Sequence, residues 1–475
     1  MTLLDAVVVG SGPNGLAAAV ALAQQGHSVQ VLEGHDEIGG GTRTAELTEP
    51  GLLHDVCSAI HPFAQASPYL STLPLAEHGL VWRHAEVDLA HPLDDGSAGI
   101  LKRALSETAI GLGADGRRWL QVFQPLVDRM DDLAEDVLGP VVRWPDHPLS
   151  MAVFGLRAGL PATVLARTFR TEQARALFLG CAAHMYRPLG GLATSAAGAM
   201  LVATGHAYGW PVAEGGSRAI TDALASLLRS LGGTISTGVP VRSLADLPPA
   251  RVTLFDTTPD AFARIAGDEL PARRARAYRR WRYGPGAFKL DLAVRGGIPW
   301  TNDSCRRAGT VHLGGSPAET AEAEAAVVRG RMPERPFVLV GQQYLADPTR
   351  SAGDLHPVWL YAHVPHGYDG DVTDAVLDQV ERFAPGFRDT IVATHTMPPA
   401  AYASYNPNYV GGDIAGGAND LRQLVLRPSL QADPYDAGLP GMFLCSAATP
   451  PGAGVHGMCG FRAAQRALRH LSDAG

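Results

Sequence analysis

An α/β fold is expected from three observations. A β-branched apolar run at residues 4–9 (LDAVVV) opens the chain and passes through a glycine-rich turn into an alanine-rich, helix-favouring stretch at 13–25. A glycine turn, an amphipathic stretch and a short strand-like run follow at residues 214–241. A strand-like run, a Pro-Gly loop and a helix-like ending occupy residues 441–471. Strands that alternate with helical patterns of this length point to parallel strands joined by crossover helices.

The first element is a βαβ start. After the opening strand and helix, residues 28–32 (SVQVL) read as a second strand. The joint Gly10-Ser11-Gly12-Pro13-Asn14-Gly15 fits GxGxxG, and Glu33 ends the second strand. Gly10 permits the tight turn, Gly12 lets a pyrophosphate approach the backbone, and Gly15 lets helix and strand pack closely. The helix start then offers free N–H groups and a positive dipole end to a diphosphate. Glu33 is placed to accept hydrogen bonds from a ribose, and its charge disfavours a 2′-phosphate. Gly39-Gly40-Gly41-Thr42-Arg43 follows directly, a second set of backbone donors for an extended dinucleotide. Two further GxGxxG matches lack this context. Residues 111–116 lie between helical patterns and read as a connecting turn, and residues 452–457 come too near the end for another βα unit.

Ile220, Leu224, Leu227, Leu228 and Leu231 share one face of the next helix, Gly232-Gly233 stop it, and a strand is expected to run into Val241. The last helix is expected to start near Gly457. Residues 100–205 are mostly helical by pattern, 285–345 hold strand-like runs, and 374–387 read as a helix.

Composition narrows the function. The 475 residues carry Lys+Arg 39 against Asp+Glu 47, a net charge of −8, which argues against nucleic acid as a partner. Charged residues are 18%, below the usual ~25%, so much surface is expected to be hidden or offered to something apolar. Five scattered cysteines without a CxxC pair support neither a disulfide framework nor a metal cluster, and a cytoplasmic location is the default expectation. No leader pattern is visible. The charge-free stretch 188–213 is broken by glycines and His206 and reads as core. No GxSxG, HExxH or Walker loop is present, so hydrolysis and phosphoryl transfer have no foothold.

With the three pieces in order, the chain resembles the FAD-dependent phytoene desaturase and amine oxidase superfamily. The likeness is greatest to the branch of carotenoid desaturases and isomerases, retinol saturases and PYROXD2-type NAD(P)/FAD-dependent oxidoreductases. It spans nearly the whole chain, with YNPNYVGGDIAGG (405–417) and LCSAATPPGAGVHGMCG (444–460) especially similar to the PYROXD2-type branch. The resemblance implies a Rossmann-like FAD-binding domain of glutathione-reductase type at residues 1–85, 206–262 and 428–475. Interleaved with it would be an α+β substrate domain with a helical cap, at 86–205 and 263–427. It implies that Gly10, Ser11, Gly12, Pro13, Asn14 and Gly15 form the diphosphate loop, Glu33 the ribose ligand, and Gly40, Gly41, Thr42 and Arg43 the paired-glycine segment. Val241 would meet adenine through its backbone, and Gly457 with Met458 would start the last helix beside the flavin pyrimidine. Many relatives follow the glycine pair at once with arginine; here that place is Gly41, and the nearest arginine is Arg43.

The resemblance further implies FAD chemistry on a small, largely apolar organic substrate: removal of hydride from a C–H bond, with dioxygen or a quinone as electron acceptor. The alternatives are a flavin amine oxidase acting on a C–N bond and a non-redox flavin-dependent isomerase. Lys289 lies in AFKLDLAV, where it shares a strand face with Asp291. Many amine-oxidising relatives place a lysine near flavin N5; the plainer reading is a pair with Asp291 on a solvated sheet face. His456 is placed to reach the flavin edge and titrate near neutral pH, or else is a loop histidine bonded to backbone. Tyr402, Tyr405 and Tyr409 are candidates to wall an apolar substrate, with Tyr409 as a catalytic candidate. The basic run 270–282 (LPARRARAYRRWR) reads as a solvated helix face, or alternatively as an anchor to an anionic lipid surface.

Overall fold

The computed structural model describes residues 3–473. Its first sheet has five strands, all parallel, in the order Met442–Leu444, Ala250–Phe255, Leu4–Val9, Val29–Leu32, Thr234–Ser236. Side chains alternate across this sheet, and both faces are covered. Ala6 and Val8 pack under Pro13–Ala23, Arg218–Ser230 and the terminal helix Met458–Asp473, while Val7 and Val9 pack with Phe255, Phe262 and Tyr278 on the other side. The parallel order brings three distant stretches of chain to one carboxyl edge, where α/β folds place ligands.

The second sheet has seven strands, in the order Ile391–Met397, Gly286–Arg295, Leu355–Val364, Val338–Gly341, Ala308–Leu313, Val87–Pro92, Ala98–Leu101. Only the Ala308–Leu313 and Val87–Pro92 pairing is parallel. One face buries Phe288, Leu290, Leu292 and Trp300 against the helix Thr373–Phe383. The opposite face carries Leu339, Trp359 and Tyr361. A helical layer that includes Gly116–Val127, Pro148–Ala158, Glu172–Ala183 and Ser195–Tyr208 covers the space between.

The 111–116 match is the expected turn, since one helix ends at Gly111 and the next begins at Gly116. The 188–213 stretch supplies the buried helix Ser195–Tyr208. No helix among the described residues is long and apolar enough to cross a membrane. The basic run is the short helix Ala272–Tyr278, with Ala275 and Tyr278 inward and its arginines largely on the solvent side.

Two expectations need correction. The strand after Gly232-Gly233 is only Thr234–Ser236, so Val241 lies beyond it. Pro240 cannot donate to a ladder, which is consistent with pairing having ended by that point. Lys289 does pair with Asp291, but both side chains are 0% exposed. The sheet face they occupy is closed by other elements, not solvated.

Candidate functional site

One cavity of about 1450 Å³ is lined by residues of both sheets, among them Val9 and Leu32 of the first and Leu339, Trp359 and Tyr361 of the second. Single-ligand pockets are usually ~300–1,000 Å³, so this one has room for a dinucleotide and a second molecule together. Its first part is lined by Gly10, Ser11, Gly12, Pro13, Asn14, Glu33, Gly40, Gly41, Thr42, Arg43 and Val241. Its last part is an apolar chamber whose walls include Met151, Phe154, Met200, Leu201, Trp210 and Trp359.

The first part is built by glycine. Gly10 sits at φ +102°, a backbone state that side-chain-bearing residues rarely adopt, and a Cβ on Gly15 would stand 2.2 Å from its carbonyl oxygen. A Cβ on Gly40 would come within 2.9 Å of the Gly12 Cα. The two turns thus lie back to back, and this cradle leaves the backbone open to a bulky anion. Ser11 donates to Glu33 Oε2 through its N–H (2.9 Å) and its hydroxyl (2.5 Å), fixing the carboxylate at the cavity wall. The Arg43 guanidinium is occupied by the carbonyls of Glu37, Ile38 and Tyr405 (3.0–3.3 Å), so it braces the loop. Gly41 has its own steric reason, because a Cβ there would meet the Tyr409 hydroxyl at 2.1 Å.

The three catalytic candidates fare differently. Tyr409 borders the cavity beside Gly41, and its neighbour Tyr405 donates its hydroxyl to Gly40 O at 2.7 Å. Lys289 does not line the cavity. Its ammonium is bonded to Asp291, with His54 Nδ1 3.4 Å and His395 Nδ1 3.6 Å from the same carboxylate. Despite burial, Lys289 and these histidines hold the Asp291 carboxyl below its usual range. Trp359 and Cys57 form the cavity wall in front, tied by Trp359 Nε1 donating to Cys57 O at 3.1 Å. His456 is also behind the wall, which here consists of Ala453, Gly454 and Val455. Its Nδ1 accepts from the Met458 N–H at 3.0 Å, capping the terminal helix. Burial pushes the His456 ring down to about 4, so it stays neutral and does not titrate near neutral pH. Gly457 and Met458 start the last helix as expected but pack inward; a Cβ on Gly457 would strike Ala17 at 2.9 Å. His206 accepts from Trp119 Nε1 at 3.1 Å within the core and is structural.

Several cavity residues were not legible as such. His184 lines the chamber and meets His312 through their Nε2 atoms at 3.3 Å, and burial drives the His184 ring down to about 3. Tyr186 and Tyr361 face each other across 3.4 Å, and behind them His363 bonds the buried Glu324 at 2.7 Å. Tyr186 holds φ +54°, an unusual state for a residue with a side chain, of the kind that concentrates at functional sites. No group of three or more His, Cys, Asp or Glu among the described residues is placed to hold a metal ion.

Asp256 did leave a signal, as an acid directly after a strand (RVTLFD) at a carboxyl edge. Its Oδ2 accepts from the Gly15 N–H at 3.1 Å, against the glycine turn. Burial pushes its carboxyl up to about 7, opposed by the Gly15 bond and aided by the charge on Glu33. A folded value above the ordinary 3.8 favours the protonated form, so its contribution to stability is complete below 3.8 and is lost as pH rises through 7. FAD affinity, followed by fluorescence titration of apo-protein, is expected to fall severalfold from pH 6 to pH 8 as a second negative charge appears beside the diphosphate cradle. Asp256→Asn should flatten that dependence; an equally steep profile in the variant would exclude Asp256 as its source.

A glycine cradle, a strand-end carboxylate and an adjoining apolar chamber form a candidate dinucleotide site of the Rossmann type. Comparison with known proteins places it further. Residues 8–73 match the family model described as NAD(P)-binding Rossmann-like domain. The rat pyridine nucleotide-disulfide oxidoreductase domain-containing protein 2 is 25% identical, over 99% of this chain and 94% of its own. Wild-type putrescine oxidase bound to putrescine superposes with a TM-score of 0.61 at 18% identity, covering 99% of both chains. Cyclohexylamine oxidase from Brevibacterium oxydans gives 0.57 at 17% identity, covering 100% of both. The chain has the fold of these two oxidases and is similar along nearly its whole length to the rat protein.

Proposed function

We propose that this oxidoreductase works as a desaturase or dehydrogenase, removing hydride from a C–H bond of a largely apolar organic substrate. The observation that carries this is the apolar chamber opening directly from the dinucleotide cradle. Gly10, Gly12, Gly40 and Gly41 would hold the FAD diphosphate, Glu33 and Val241 the adenosine, and residues 447–455 the ring; Gly15 lies behind the turn, its N–H given to Asp256. Bound FAD supplies two-electron, hydride-accepting chemistry. The protein's own residues do the rest. Met151, Phe154, Met200, Leu201 and Trp210 exclude water from the chamber. Tyr186, Tyr361 and the neutral His184 supply hydrogen bonds that orient a polar substituent without ionising.

The position of Lys289 favours C–H over C–N oxidation, because no lysine ammonium lines the chamber among the described residues. Dioxygen or a quinone would take the electrons. Exposed Val141 (61%), Trp144 (85%) and Leu149 (69%) cluster in sequence beside chamber-lining Met151, which supports peripheral contact with a lipid surface at the substrate entrance.

The purified protein is expected to be yellow and to release intact FAD on denaturation. Under anaerobic conditions, apolar substrates with an activated C–H bond should bleach it. A protein that stays colourless and takes up no FAD on reconstitution would end this reading. Photoreducible flavin without net oxidation of any such substrate would favour the isomerase alternative.

A further inference from the structure

Arg427 borders the cavity and is only 2% exposed. Its Nη1 donates to Ala447 O at 3.1 Å and its Nη2 to Asn419 Oδ1 at 3.2 Å, both neutral acceptors. Its Nε is buried with no partner. Among the described residues no carboxylate lies within ion-pair distance of the guanidinium. The nearby acids are engaged elsewhere. Asp413 accepts from the N–H groups of Gly284 (2.7 Å) and Ala415 (2.8 Å), and Asp420 pairs with Arg282 at 2.6 Å. The adjacent Cys459 thiol is pushed up to about 12 by burial and is neutral. Trp281 lies against the guanidinium, 5.9 Å from ring centroid to its carbon.

A guanidinium removed from water without a counter-charge is costly, and one set in a cavity wall with only neutral acceptors has donor capacity that an incoming carboxylate would match. Leu421, Leu424 and Val425 line the cavity with Arg427 and Asn419 and give this wall an apolar side. We infer that Arg427 is the receptor for an anionic oxygen pair, and that the substrate of the proposed reaction is an apolar molecule ending in a carboxylate. This deepens the hydride-abstraction reading and rests on it for the word substrate.

The test uses FAD-loaded protein at pH 8 with two probes of equal chain length, decanoate and decan-1-ol, read by perturbation of flavin absorbance and by tryptophan fluorescence. Decanoate is expected to bind the wild type at least about tenfold more tightly than the alcohol. Arg427→Met should lose about 10- to 100-fold of decanoate affinity while leaving decan-1-ol affinity little changed, and Arg427→Lys should keep part of the preference. Equal binding of both probes to the wild type, or an unchanged preference in Arg427→Met, overturns the inference. If the anion partner is instead the cofactor, Arg427→Met will lower the flavin midpoint potential and leave the decanoate preference intact, which also overturns it. Fluorescence titration of apo-protein reads the same preference, so a failure to bind FAD is seen separately from a failure to bind carboxylate.

Discussion

Lys289→Met is expected to lower the free energy of unfolding by about 3–5 kcal/mol, because it leaves the Asp291 carboxylate buried without its cation. Both side chains are fully enclosed, and the two histidines near Asp291 stand farther off than the ammonium. Denaturant midpoints measure the loss. The same variant is expected to reoxidise its reduced flavin with dioxygen within a factor of about three of wild type, a barrier change of about 0.6 kcal/mol, since Trp359 and Cys57 stand between Lys289 and the cavity. Lys289→Met/Asp291→Leu, which removes both charges, should recover most of the stability. A stable single variant with reoxidation slowed a hundredfold would place Lys289 at the reacting centre and restore the amine oxidase reading.

Gly460→Ala is expected to cost about 3 kcal/mol or more and to abolish FAD retention. A Cβ at Gly460 would lie 1.8 Å from the Asn14 carbonyl oxygen and 3.0 Å from the Ala18 nitrogen. These are backbone atoms of the helix that begins at the glycine turn, so no rotamer change relieves the clash. The terminal helix must move away from Pro13–Ala23, and the turn moves with it. Gly155→Ala is the control: its Cβ would meet nothing within 4 Å on an exposed helical surface, so it should be neutral or stabilising by up to about 1 kcal/mol. Thermal denaturation with and without added FAD separates the two. Gly460→Ala protein that melts like the wild type and stays yellow would contradict the helix contact.

The βαβ start that lines the cavity was readable because its signals are local. A strand, a turn that only glycine can make, a helix and a carboxylate fall within residues 4–33, and each is dictated by backbone sterics over a few residues. The substrate half was not. Its walls come from separate elements, including Pro148–Ala158, Ser195–Tyr208 and the Leu355–Val364 strand, and alternation along a strand does not say which face will be closed. Lys289 shows the limit. Its shared face with Asp291 follows from the period of two, yet whether that face met water, flavin or a packed wall depended on Cys57 and Trp359, far away in the chain. For His456 the sequence left two readings, a titrating group at the flavin edge and a loop histidine bonded to backbone, and the Met458 N–H contact within the core is the second.

The sequence by itself determined the βαβ start with its glycine turn, the carboxylate at the end of its second strand and the helix at residues 458–473, since these rest on short-range geometry. Only the tertiary structure decided which charged groups face the cavity, leaving Asp256 and Arg427 at its wall and hiding Lys289 and His456. The reason is desolvation: the cost of a charge is set by everything that surrounds it, and those surroundings are assembled from the whole chain.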